Sequence, residues 1–262
     1  MKKLFFVACI LLSTKIFALE LTKYPIELSS AEGINVVIAT TLDKKQALVR
    51  VKGINNEIDD IVFLTNLEPH GSNKAYKYTF DGSKRSIVTV NDNYRCCSYT
   101  LNIPDSRDGV YLRKNEESTS GITESLEKQY EQQVSKEIQA KLAIFNRDKH
   151  LNYQQMNMTD ADQQVNKQCG STIKTNVDWE AVDDKSLQKY AVGSFCAQVA
   201  KEIAYMCKED NSFKSKIADV STINCEFTDQ LKLRKLDKTL TFKTSSEAPN
   251  QGRFIKAYLL NL

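Results

Sequence analysis

The first eighteen residues constrain the fold most, because they decide the compartment in which the chain folds. Lys2 and Lys3 precede an apolar run over residues 4–12, and the segment ends in Ile16-Phe17-Ala18. A charged start, a short apolar stretch and a small residue before the cut are typical of a secretory signal peptide. We therefore expect cleavage after Ala18, and a periplasmic or secreted protein whose thiols can form disulfides.

Two other interpretations of this segment are weaker. A membrane-spanning helix needs about 20 apolar residues, and Lys15 interrupts this shorter run. Lipidation at Cys9 would leave eight residues in front of the modified cysteine and more apolar chain behind it. We expect residues 1–18 to be a cleaved signal peptide and the mature chain, residues 19–262, to have no transmembrane span.

Removal of the signal peptide changes the charge balance. The full chain has 36 basic and 33 acidic residues, and the signal carries three lysines and no acidic residue, which leaves 33 of each. A chain with no net charge and no block of like charges lacks the basic character of nucleic-acid-binding proteins. We therefore expect a protein or another envelope ligand of unknown identity as the partner, and no nucleic acid.

The first part of the mature chain, residues 19–113, has a β pattern. Tyr76, Tyr78 and Phe80 alternate with polar residues and run into Asp81-Gly82, a dipeptide that strongly favours a hairpin turn. Seven or eight short strands of this kind, with turns every 8–12 residues, predict an antiparallel β-sandwich domain.

The rest of the chain predicts helices and a second domain. Residues 114–121 are polar and predict a linker. Apolar residues at spacings of four predict one long connecting helix over residues 122–150. Residues 151–262 predict a small, disulfide-stapled α+β domain, so the fold class is a two-part α+β protein.

One predicted strand of this second domain has two chemically different faces. Ile173, Thr175 and Val177 alternate with Lys174 and Asn176. Strict alternation predicts a strand with one buried and one solvated face.

Four of the six mature cysteines lie in the second domain. A single helix predicted over residues 185–208 would hold Cys196 and Cys207 about 16 Å apart, too far for a disulfide. Two pairings remain: Cys169 with Cys196 and Cys207 with Cys225, or Cys169 with Cys207 and Cys196 with Cys225. A zinc site would need closer ligand pairs than these spacings offer, so we expect no metal.

Cys96 and Cys97 are adjacent and are the unusual feature of the first domain. Neighbouring side chains of a strand point to opposite faces, so the two thiols can stay separate. They can also join in a vicinal disulfide, whose strained ring would be easily reduced and would give the segment a redox or ligand-contact role.

Motifs for catalysis and cofactor binding are missing. The only histidines, His70 and His150, have no partner at metal-ligand spacing. Ser186 and Lys189 match a Ser-x-x-Lys motif by chance, because its companion motifs are absent. We expect no catalytic, cofactor-binding or metal-ligating residues.

The sequence thus favours an exported, non-enzymatic binding protein of the bacterial envelope with an unknown ligand. The alternative is an exported thiol-dependent or hydrolytic enzyme, with a site near Cys96-Cys97 or between the domains. In that alternative, Cys97→Ser should abolish an activity.

The first prediction concerns export. Intact mass of the exported protein, alkylated with and without reduction, should show a chain that begins at Leu19 and has six protected cysteines. A chain whose six thiols all react without reduction would contradict the predicted compartment.

Overall fold

The computed structural model describes residues 19–93, 96–116, 119 and 121–262. The predicted signal peptide and the side chain of Cys96 lie outside the described residues. Of the described residues, one compact unit comprises those within 19–80 and 84–143, and the other comprises those within 81–83 and 144–262. Among the described residues, no helix has the length and apolar character needed to cross a membrane.

The first unit is built on a closed barrel of eight antiparallel strands in sequence order. Its strands are β1 (Ile26–Ser29), β2 (Asn35–Thr40), β3 (Gln46–Lys52), β4 (Val62–His70), β5 (Asn73–Phe80), β6 (Ser83–Asn93), β7 (Cys96–Leu101) and β8 (Val110–Lys114).

The predicted β-sandwich is therefore wrong, although the predicted strands are largely present. β1 pairs with β2 on one side and with β8 on the other, where Leu28 lies opposite Lys114 and Ser29 opposite Arg113. A sandwich and a barrel share the same apolar-polar alternation along each strand. They differ in whether the first and last strands pair, and no local sequence pattern reports that contact.

The predicted hairpin turn at Asp81-Gly82 is confirmed. The φ angles of Asp81 and Gly82 are 49° and 69°, and the two-residue turn between β5 and β6 needs positive φ at both positions. Before the turn, Tyr76, Tyr78 and Phe80 all belong to the buried barrel core.

Glutamine side chains complete the barrel where two strands separate. The pairing of β4 with β5 ends at Asn66 opposite Lys77. Beyond this point the amide of Gln139 accepts from the backbone N–H of Leu64 and donates to its carbonyl, both at 3.0 Å. Gln133 accepts from the backbone N–H of Val62 at 2.9 Å. Helix side chains thus satisfy strand groups that would otherwise lose their partners.

The single long helix predicted over 122–150 is also wrong. The chain forms α1 (Ile122–Ser135), α2 (Ile138–Ala143) and α3 (Arg147–Cys169) in its place. Glu137 has a left-handed φ of 57°, which interrupts a helix. Asn146 then starts α3 by accepting the N–H of Lys149 at 3.0 Å, as N-cap residues do.

The second unit contains a four-stranded sheet in the order β11-β12-β10-β9. β9, β10 and β12 are parallel, and β11 is antiparallel to β12. The strands are β9 (Lys174–Val177), β10 (Thr222–Phe227), β11 (Lys232–Leu236) and β12 (Thr239–Thr244).

Five further helices follow α3 in the second unit. They are α4 (Asp184–Lys189), α5 (Val192–Cys196), α6 (Gln198–Glu209), α7 (Phe213–Lys216) and α8 (Gln251–Leu260). The single helix predicted over 185–208 is therefore divided into three. The three helices still face one core, because buried apolar residues of α4, α5 and α6 all belong to it.

The second prediction tests the glutamine contacts of the barrel. Gln139→Met keeps the length of the side chain but leaves both backbone groups of Leu64 without the amide. We expect a loss of about 1–2 kcal/mol in the free energy of unfolding, measured by denaturant titration. Gln132→Met, on an exposed position of α1, is the control, and equal stability of both variants would contradict this role.

Candidate functional site

The sheet of the second unit has one buried face and one solvated face. Ile223, Cys225, Leu240 and Phe242 belong to the buried core of the unit. On the opposite side Asn224, in the interior strand β10, is exposed. We call the solvated side the open face.

Strand register arranges the open face in three rows that run across the strands. Residues opposite one another in a ladder share a face, so the pairing fixes each row. The first row is Lys174, Thr222, Thr239 and Leu236, the second row is Asn176, Asn224, Thr241 and Arg234, and the third row is Glu226, Lys243 and Lys232. Ten of these eleven side chains are polar or charged.

The charges are not spread evenly over the open face. In the third row, Lys243 lies 2.6 Å from Glu226, and Asp178 directly follows β9 beside this row. The first two rows contain two cations, Lys174 and Arg234, and no carboxylate. Neither cation has an ion pair among the residues that the structure describes. The first two rows therefore combine amides and hydroxyls with net positive charge.

Two disulfides hold the layer beneath the open face. Cys196 at the end of α5 is bonded to Cys225 of β10, with 5.5 Å between their Cα atoms. Cys169 at the end of α3 is bonded to Cys207 of α6, with 5.3 Å between their Cα atoms. The four cysteines thus form the second of the two pairings that the sequence left open.

The Cys196–Cys225 bond bears directly on the open face. Cys225 is 3% exposed and lies between Asn224 and Glu226 in β10. Because consecutive side chains of a strand alternate, the disulfide fixes β10 from below while its two neighbours point to solvent. The face is consequently a supported surface and not a flexible loop.

Of the cysteine pair of the barrel, only Cys97 has a described side chain. Cys97 is exposed, and its Sγ lies 3.3 Å from Oδ1 of Asp92. A nucleophilic thiol is activated by neighbouring positive charge, whereas this neighbour is a carboxylate. The predicted vicinal disulfide depends on Cys96, whose side chain lies outside the described residues.

His150 lies against a carboxylate of its own unit. His150 contacts Oδ2 of Asp81 at 2.7 Å, and both residues belong to the second unit. Burial raises the pKa of Asp81, but the N–H of Asn146 and the imidazole of His150 outweigh it and lower the pKa below its ordinary value. Within the described ranges, no group of three or more metal-ligating side chains comes together.

Tyr76 and Tyr78 of the barrel core are held in their protonated form. Burial raises the pKa of Tyr76 to about 12, with a smaller contribution from Tyr99, and burial likewise raises the pKa of Tyr78. The hydroxyl of Tyr78 is buried without a hydrogen-bond partner in the described part of the chain. A protonated phenol of this kind cannot act as a general base at neutral pH.

Sequence reasoning found one strand of the open face but not the face itself. The alternation around Thr175 correctly placed Lys174 and Asn176 on a solvated side. The partners of these residues come from β10, β11 and β12, which are distant in sequence. Only the strand order brings the rows together.

Comparison with known proteins gives no match. No family model, no curated protein and no solved structure matches this chain.

The third prediction tests the support beneath the open face. Replacing Cys196 and Cys225 together by alanine opens a bond with a sequence separation of 29 residues, and should lower the free energy of unfolding by about 3–4 kcal/mol. Hydrogen exchange at the backbone amides of β10 should rise by more than in a matched Cys169→Ala, Cys207→Ala variant. Equal exchange of β10 in both double variants would contradict a specific role of the first disulfide.

Proposed function

We propose that this protein is an exported, non-enzymatic binding protein that docks its partner on the open face. The proposal rests on a solvated, polar sheet face. The interior strand β10 of this sheet is bonded on its buried side to α5 by the Cys196–Cys225 disulfide. Disulfides of this kind are typical of proteins that fold in an oxidising compartment. They support residence in the periplasm or secretion.

The exposure of this polar sheet face to solvent supports a binding role. Parallel strands usually occur in sheets covered on both faces, and their sequences are then continuously apolar. Here three parallel strands alternate, with Asn224 of the interior strand β10 and its partner Asn176 of β9 both exposed in the second row. A sequence that builds such a sheet and leaves one side polar provides a broad, rigid surface for a partner.

The width of the face suits a chain-like or extended partner. Four strands spaced by about 4.8 Å span about 14 Å from β9 to β11. No loop of the described chain divides the rows, because the strands that carry them are directly hydrogen-bonded neighbours. An extended ligand that lies along a row can thus contact all four strands at once.

The fourth prediction concerns a steric obstruction of the face. Asn224→Tyr adds an aromatic ring at the centre of the second row, in a strand that tolerates tyrosine. We expect this variant to lose cosedimentation with the envelope fraction of the producing cells, while the wild-type protein sediments with it.

Asn152→Tyr is the matched control, because Asn152 is an exposed asparagine of α3. It should cosediment like the wild type, and circular dichroism should show that both variants are folded. Cosedimentation of Asn224→Tyr at the wild-type level would overturn the proposed docking surface.

A further inference from the structure

The open face also indicates what kind of partner it binds. Its first two rows contain five uncharged hydrogen-bonding side chains and two cations, one cation at each edge of the sheet. The uncharged groups are Thr222, Thr239, Asn176, Asn224 and Thr241, and the cations are Lys174 and Arg234.

The positions of the two cations follow from the strand order. Lys174 lies in β9 at one edge of the sheet, and Arg234 lies in β11 at the other edge. The two positions are thus separated by three strand spacings across the sheet and by one row along the strands, or about 16 Å between backbones. A ligand that meets both charges must bridge the amides and hydroxyls between them.

We infer that the first two rows of the open face bind an anionic polysaccharide, a linear chain of sugars that carries carboxylate or sulfate groups. This inference rests on the proposed function and names the partner of the same face. Sugar hydroxyls both donate and accept, as do the side chains of asparagine and threonine. Acidic groups of the chain pair with Lys174 and Arg234 at the two edges.

The composition of the face disfavours two other classes of partner, nucleic acids and proteins. Proteins that bind single-stranded nucleic acids stack bases on aromatic side chains, and the three rows contain no aromatic residue. Protein interfaces depend on buried aromatic or apolar anchors, and the one apolar residue of the rows, Leu236, lies at the edge and is 74% exposed. A hydrophilic, charged polysaccharide needs neither feature.

The charge of the third row indicates that the anionic chain binds at the first two rows. Glu226 and the adjacent Asp178 balance the two lysines of this row, and Glu226 already pairs with Lys243, whereas the first two rows have two cations and no carboxylate. An anionic chain is therefore attracted to the first two rows more than to the third. Lys174 and Arg234 are consequently the residues to change.

The fifth prediction measures binding of alginate, a linear carboxylated polysaccharide, to the full mature protein. Lys174→Glu with Arg234→Glu should weaken binding by about tenfold or more, because two attractions become repulsions. Lys185→Glu with Arg253→Glu makes the same two exchanges at exposed positions of α4 and α8, and should bind within about twofold of the wild type. Raising the salt from about 0.15 M to about 0.5 M should weaken wild-type binding.

A second pair of variants separates sugar recognition from simple charge attraction. Asn176→Ala with Asn224→Ala leaves every charge in place and should weaken alginate binding by about fivefold, without changing the binding of poly-glutamate. Neutral dextran should not bind measurably.

Two outcomes would contradict the polysaccharide inference. Equal binding of poly-glutamate and alginate, unaffected by the asparagine variant, would show an acidic polypeptide or unspecific polyanion site and overturn the polysaccharide class. No binding of alginate or dextran sulfate would overturn it as well. In both cases the proposed docking face is tested separately, by cosedimentation of the Asn224→Tyr variant.

Discussion

The disulfide between Cys196 and Cys225 is the constraint on which the second unit depends. It joins α5 to the central part of the sheet, and its cysteine in β10 is almost fully buried. Because the neighbouring positions of a strand face the other way, the bond holds Asn224 and Glu226 toward solvent without occupying the surface itself. The second disulfide joins α3 to α6 in the same core. A polar surface can therefore stay ordered although its side chains, such as Asn224, are exposed to solvent.

The barrel solves a different problem, namely how to satisfy backbone groups where strands separate. Gln133 and Gln139 take the places of strand partners for Val62 and Leu64. An unpaired backbone group in a partly buried position costs about as much as a lost hydrogen bond. Amide side chains are suited to this role since each carries a donor and an acceptor. The barrel consequently closes without full pairing between β4 and β5.

Local patterns predicted the elements better than their arrangement. The alternation of Tyr76, Tyr78 and Phe80 and the Asp81-Gly82 turn depend on neighbouring residues, and both were predicted correctly. Closure of the barrel through Leu28 and Lys114, and the rows of the open face, depend on pairings between distant segments, so alternation alone could not reveal them. The predicted long helix was wrong because the apolar spacing in the sequence continues across Glu137 and Asn146, where the helices end and begin. The cysteine pairing was reduced to two options by distance, and the fold selected one.

The most direct test of the account is the response of the side-chain amides of the open face to a ligand. In a two-dimensional NMR titration of the mature protein with alginate, the account predicts saturable shifts of the NH₂ signals of Asn176 and Asn224. The signal of Asn152 on α3 should stay in place. Shifts confined to signals outside the open face, or an unchanged spectrum at saturating alginate, would contradict the claim that this sheet face is the binding surface.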